Sequence, residues 1–132
     1  MARQTIEELL AQARSELGHR PTPAEAHEAA QAGDAVLVDI RAGDTLDRDG
    51  AIPGAIHHQR TVLEWRADPD CPWRDDRIAD LDAPLVLFCS QGFASSLAAQ
   101  TLRELGFTRV TDIDGGFDAW KEQGLPVQEH EQ

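Results

Sequence analysis

"LVLFCSQGFASS", residues 85–96, ends an apolar run in a cysteine and follows it at once with a small, polar loop containing glycine. Leu85-Val86-Leu87-Phe88 is apolar at successive rather than alternate positions. That is the pattern of a strand covered on both faces, as in parallel sheets flanked by helices. In such sheets, sites form beyond the carboxyl ends of the strands, and Cys89 stands at that end. Ser90 to Ala94 is just long enough to curl around the sulfur before a helix begins near Ser95. Loop amides turned inward, with the positive end of the helix dipole, stabilise a thiolate and any anion docked beside it. Gly92 supplies the backbone freedom that a tight cradle requires. Two roles fit Cys89 at this level: an inert residue finishing a buried strand, or a nucleophile at the mouth of a site.

Working outward, Val36-Leu37-Val38 and Val110-Thr111-Asp112-Ile113 read as strands of the same kind, and Ile52-Pro53-Gly54-Ala55 as a turn into another near Ile56 and His57. Helical patterns lie between them. Capping boxes at Thr5–Glu8, Thr22–Glu25 and Thr61–Glu64 each pair a threonine with a glutamate three residues on. The first opens an amphipathic stripe of Ile6, Leu9, Leu10, Ala13 and Leu17, stopped by Gly18. The second has Pro23 at its first helical position, and its helix should end near Gly33. Leu97, Ala98, Thr101, Leu102 and Leu105 share one helical face closed by Gly106, and Phe117 to Glu122 forms a last short helix. Residues 66–83, rich in aspartate and holding Pro69 and Pro72, read as a solvated loop. Strands alternating with helices imply an α/β domain.

A chain of 132 residues suits one domain with one core. Its net charge of −12, from 24 acidic against 12 basic residues, repels nucleic acid and anionic membranes. Neither is expected as a partner. The N-terminus turns acidic at Glu7-Glu8 without an apolar segment, so it is not read as a secretory signal. Two cysteines, Cys71 and Cys89, make no disulfide framework and no zinc spacing. A reduced, cytoplasmic protein is the expectation.

Four motifs in order give the chain a family resemblance. Val38-Asp39-Ile40-Arg41 looks like the Asp-x-Arg strand end of the rhodanese-like (sulfurtransferase) family. Gly50-Ala51-Ile52-Pro53-Gly54-Ala55 is similar to its Gly-His-Ile-Pro-Gly-Ala, with Ala51 in place of histidine. Cys89-Ser90-Gln91-Gly92-Phe93-Ala94-Ser95 sits where Cys-x-x-Gly-x-Arg-Ser is expected. Asp114-Gly115-Gly116-Phe117-Asp118-Ala119-Trp120, followed by Gly124-Leu125-Pro126-Val127, resembles the family's closing Gly-Gly-x-x-x-Trp and Gly-x-Pro-Val. The resemblance spans about residues 22 to 127. It implies a three-layer α/β/α sandwich around a central, mainly parallel five-stranded sheet. The corresponding layout is an N-terminal helix packed on the domain in 1–20, the domain itself in 21–128, and a short tail in 129–132.

The same resemblance implies that Cys89 takes sulfane sulfur as a persulfide and passes it to a thiophilic acceptor. The substrate-binding cradle is then formed by Ser90, Gln91, Gly92, Phe93, Ala94 and Ser95, with Asp39 and Arg41 bracing the sheet end beside it. The donor is a small sulfur compound or a protein sulfur carrier, and neither cofactor nor metal is needed. Ala94 departs from the family, since it stands where arginine is common. A charge-assisted hydrogen bond typically contributes about 1.5–3 kcal/mol, so weak use of thiosulfate is expected. A rhodanese-like binding or regulatory module with little turnover is the alternative.

Other chemistries fit less well. A cysteine phosphatase of the Cys-x5-Arg type needs arginine where Ser95 stands, and the loop has no other arginine to grip phosphate. His57 and His58 are adjacent on a strand and face opposite ways, so they are read as surface residues rather than metal ligands. Thr45 to Gly50 faintly resembles a calcium loop, but Ile56 stands where the closing glutamate belongs. Cys71, in its acidic loop, is read as an incidental thiol.

Overall fold

The structure, a computed structural model, describes residues 2–130. Met1 and the last two residues of the expected 129–132 tail lie outside the described residues. Strands β1 (Val36–Asp39), β2 (Ile56–His57), β3 (Leu85–Phe88) and β4 (Thr111–Asp112) form a sheet of order β2-β1-β3-β4. Every pairing is parallel: Val38 faces Ile56, Asp39 faces Phe88, and Leu87 faces Asp112. The carboxyl ends of all four strands therefore lie along one edge.

Among the described residues, six helices accompany the sheet: α1 (Ile6–Leu17), α2 (Pro23–Gln31), α3 (Gly43–Asp49), α4 (Leu63–Ala67), α5 (Ala94–Glu104) and α6 (Gly116–Glu122). Successive strand residues point to opposite faces, and each face has its own core. Val38, Leu85 and Leu87 pack with Leu17, Leu63, Ala98 and Leu102 on one side. Leu37, Val86 and Phe88 pack with Ala26, Phe117 and Trp120 on the other. The continuous apolar strands are the consequence of this double covering. The result is the three-layer sandwich expected.

Among the described residues the sheet has four strands, not the expected five. Ala51 and Gln128 make a single antiparallel bridge, exchanging N–H···O bonds of 2.8 Å in both directions. It cannot lengthen into a strand. Pro53 has no N–H to offer, Gly54 turns the chain at φ +83°, and Pro126 interrupts the partner segment.

The capping boxes at Thr5 and Thr22 form with both reciprocal bonds. The third does not. Arg60–Val62 is a 3-10 turn, and α4 starts at Leu63 without a side-chain cap. Glu64 instead accepts a 2.7 Å bond from Arg60, while the Thr61 hydroxyl accepts one from Gln59. Charge pairing one turn apart outcompetes the local box. Helix α3 was not legible in the Thr45 to Gly50 segment, because only Leu46 is buried there. Of the stripe on α1, Ala13 and Leu17 are buried, whereas Ile6 and Leu9 remain exposed.

Candidate functional site

Strand β3 delivers Cys89 to the sheet's carboxyl edge, and the next residues wrap around its sulfur. The Gly92 N–H donates to Sγ at 3.3 Å and the Ser95 N–H at 3.4 Å, while the Cys89 thiol donates to the Ser95 hydroxyl at 3.4 Å. Gly92 has φ +85°, a conformation that a side chain resists. Helix α5 begins at Ala94 with no side-chain cap, so its first amides and the positive end of its dipole face the sulfur. Among the described residues, the Gln91, Phe93 and Ala94 N–H groups donate to no protein acceptor. Two loop amides thus converge on a half-buried thiol, and the same loop carries further free donors.

The loop is fixed from the next layer. The Phe117 N–H donates to the Cys89 carbonyl at 2.8 Å, and the Asp118 N–H donates to the Ser90 carbonyl at 2.9 Å. The N-terminus of α6 therefore grips the loop that it faces. Below the loop lies Asp112, fully buried at the end of β4. Its carboxylate accepts from the hydroxyls of Ser95 at 2.7 Å and Ser96 at 2.8 Å, and from Arg20 through Nε at 2.8 Å and Nη2 at 3.1 Å. The Gly92 carbonyl accepts from Arg14 Nη2 at 2.8 Å and from Arg20 Nη2 at 3.1 Å.

Sequence reasoning did not find Asp112, Arg20, Arg14 or Ser96. One signal was available: a carboxylate inside Val110-Thr111-Asp112-Ile113 is costly to bury alone and demands partners. The arginines carry no such signal, being separated from the loop by 72 and 78 positions.

Above the sulfur lies a cavity of about 350 Å³ lined by Ile40, Arg41, Thr45, Cys89, Gln91 and Ala94 among others. Asp39 and Arg41 form a buried ion pair at its wall, 2.6 Å at the closest approach. Arg41 also donates to the Gly50 carbonyl at 2.9 Å and lies over the Phe117 ring, 3.9 Å from its centroid. Its Nη1 has no hydrogen-bond partner among the described residues. Across Phe93 and Ala94 the mouth continues into an apolar cleft lined by Ile6, Leu10 and Leu97.

The other candidate residues lie elsewhere. Cys71 lines a separate cleft with Glu64, Trp65, Asp68 and Leu105. His58 is not the surface residue that its sequence suggested, and His57 is half-buried. His58 is buried and donates to Asp75 at 2.7 Å, and His57 donates to the Arg41 carbonyl at 2.7 Å. Each is consumed by a structural bond, because the short β2 places both beside neighbouring loops. No group of His, Cys, Asp or Glu among the described residues has the arrangement of a metal site.

Comparison with known proteins agrees with this architecture. The rhodanese-like domain family profile matches residues 22–123. The chain is 36% identical over 113 residues to thiosulfate sulfurtransferase GlpE of Stutzerimonas stutzeri, covering 86% of this chain and 94% of that one. A structure from Rhodopseudomonas palustris, described as a protein of unknown function and possible tyrosine phosphatase, is 35% identical, with TM-score 0.86 and 97% coverage of both chains. The polysulfide-sulfur transferase homodimer of Wolinella succinogenes is 29% identical, with TM-score 0.68 over 92% of this chain and 88% of that one. With its parallel sheet and the cysteine loop at the carboxyl edge, the chain belongs to the rhodanese-like domain family and is a sulfurtransferase of that type.

Proposed function

We propose that Cys89 is the nucleophile of this sulfurtransferase and carries the transferred sulfur as a persulfide. The observation that supports this most is the convergence of the Gly92 and Ser95 amides on Cys89 Sγ, with further unpartnered amides beside them. A thiolate there attacks the outer sulfur of a donor such as thiosulfate. A new S–S bond forms on Cys89, the donor's S–S bond breaks, and sulfite departs with its electron pair. An acceptor thiolate then attacks the terminal sulfur of the persulfide. The acceptor leaves as a persulfide and the Cys89 thiolate is restored. No net oxidation occurs and no cofactor takes part. In this reading the free amides of Gln91, Phe93 and Ala94 bind the anionic terminal sulfur.

Ala94 favours a donor other than a bare dianion, because the loop itself holds no arginine to grip one. A protein-borne or organic sulfane sulfur fits the apolar mouth around Phe93 and Ala94. The same loop disfavours phosphatase chemistry, since Ser95 stands six residues after Cys89 and is committed to Asp112. Two free cysteines fit a reduced, cytoplasmic setting. No helix among the described residues is long and apolar enough to cross a membrane.

Mass spectrometry of the protein after donor treatment tests the reading. One added sulfur atom on Cys89, discharged by a thiol acceptor, is the expected result. Cys89→Ser abolishes both loading and turnover, while Cys71→Ser leaves them intact. Equal losses in the two variants overturn the single-thiol mechanism.

A further inference from the structure

The Gly92 carbonyl sits between two guanidinium groups that come from outside the segment matched by the family profile, which begins at residue 22. Arg14 is in the last turn of α1, and Arg20 is in the link between α1 and α2. Both donate to the same oxygen, at 2.8 Å and 3.1 Å. Arg14 Nε also donates to the Ser96 hydroxyl at 3.2 Å. The Arg20 side chain is only 12% exposed, and its other donors are spent on Asp112 and Asp114. This is a built clamp, with each arginine held on more than one partner.

The peptide bond sets the consequence. In a trans peptide, the C=O of one residue and the N–H of the next point in opposite directions. Holding the Gly92 carbonyl toward Arg14 and Arg20 turns the Phe93 N–H the other way, away from both guanidiniums. Charge on the carbonyl side also polarises that peptide and strengthens its N–H as a donor. The Phe93 N–H lies in sequence between the two amides that already reach the sulfur, and it has no protein acceptor.

We infer that Arg14 and Arg20 are positioning residues of the sulfur-transfer site: by clamping the Gly92 carbonyl from behind the loop, they aim the Phe93 N–H at the transferred sulfur and supply positive charge that Ala94 does not. This rests on Cys89 being the sulfur carrier. Burial disfavours the charged form of Arg20, but its hydrogen bond to Asp112 and the charges of Asp112, Asp114 and Cys89 outweigh that effect and hold its proton more tightly than usual. Arg20 therefore stays a cation throughout the working pH range. The other charged groups around the loop are Glu7 on α1, Arg41 with its partner Asp39 at the end of β1, Asp112 and Asp114 at the end of β4, and Asp118 on α6; the first turn of α5 carries no acid.

The test compares Arg20→Gln, Arg14→Gln, Arg20→Lys and Leu17→Ala, each in a Cys71→Ser background so that Cys89 is the only thiol. Leu17 anchors α1 in the core and makes no hydrogen bond to the loop through its apolar side chain, and its truncation controls for a loosened helix. Iodoacetamide alkylation is followed against pH, and sulfur loading against thiosulfate concentration. Arg20→Gln moves the alkylation profile to higher pH and slows loading about tenfold, with the KM for donor changed less than about twofold. Arg14→Gln does the same to a smaller extent, Arg20→Lys recovers part of the loss, and Leu17→Ala leaves the profile in place.

Folded Arg14→Gln and Arg20→Gln proteins with the parent's profile and loading rate overturn the inference. So does a Leu17→Ala shift as large as theirs, which would make α1 a general support. If Arg20→Gln fails to fold because Asp112 is left unpaired, Arg14→Gln decides alone. Profile shifts as expected in a protein whose Cys89 takes sulfur from no donor support the clamp, and overturn Cys89 as the sulfur carrier instead.

Discussion

Gly116 and Cys89 meet with no room for a methyl group: a Cβ on Gly116 would stand 2.6 Å from the Cys89 carbonyl oxygen and 2.8 Å from the Gly92 nitrogen. Gly116 also has φ +63°, which side chains rarely adopt. Gly116→Ala therefore strains its own backbone and pushes the cysteine loop outward together. We expect it to lose about 1–3 kcal/mol of stability and at least about tenfold in sulfur-transfer rate. Urea unfolding and steady-state rates measured on the same preparation check both.

Ala94 is exposed at the rim between the sulfur cavity and the apolar cleft. Ala94→Arg places a cation beside the approach of an anionic donor. With thiosulfate the expected gain is about 1 kcal/mol, or several-fold in kcat/KM, after side-chain ordering and solvent screening are allowed for. The gain should shrink at high salt and appear mainly in KM. Rates at two ionic strengths measure it, and a folded variant with no gain at low salt counts against Ala94 as a missing anion anchor.

Asp39 and Arg41 are both buried, with side chains only 2% exposed. Arg41→Ala removes the cation and leaves a buried carboxylate without its partner, at a cost of about 3–5 kcal/mol. Replacing both members by apolar residues costs much less, because no stranded charge remains. A double-mutant cycle in denaturant measures the coupling, and a single-variant loss below about 1 kcal/mol contradicts it.

Asp75 gives the protein an acid-sensitive anchor. Its carboxylate is held well below the ordinary range, chiefly by the hydrogen bond from the Arg77 side chain, with burial opposing and the bonds from the His58 ring and the Arg77 backbone N–H adding to the effect. A carboxylate with a lowered folded-state value contributes stability that is fully present above about pH 4 and is lost as the pH falls through that lowered value. Asp75→Asn should destabilise the protein at neutral pH and flatten this acid limb. Thermal unfolding between neutral and strongly acidic pH tests both parts.

Much of the architecture was legible because it rests on local rules. Apolar strands read at β1 and β3, the two formed capping boxes, and glycines at Gly18 and Gly92 all act within a few residues. What could not be read depends on partners far away in the chain. Thr61 lost its box to an Arg60–Glu64 pair, and His58 was buried by Asp75, which arrives 17 residues later. The fifth strand has a different origin: Ala51 does reach Gln128, and Pro53 and Pro126 beside them stop the bridge from lengthening. The site divides similarly. Cys89 and its loop are one contiguous motif, whereas Asp112, Arg20 and Arg14 join it only through the tertiary fold.

The Arg14 and Arg20 contacts also bear on how this protein is cut for study or fused to others. Excising residues 22–123 as a self-sufficient cassette keeps the sheet, Cys89 and the whole cradle, yet discards both cations that hold the Gly92 carbonyl. Asp112 would then keep its two serine hydroxyls while losing its counter-charge. The limits drawn by kinship and those drawn by hydrogen bonding differ here, and a transplantable unit has to follow the second.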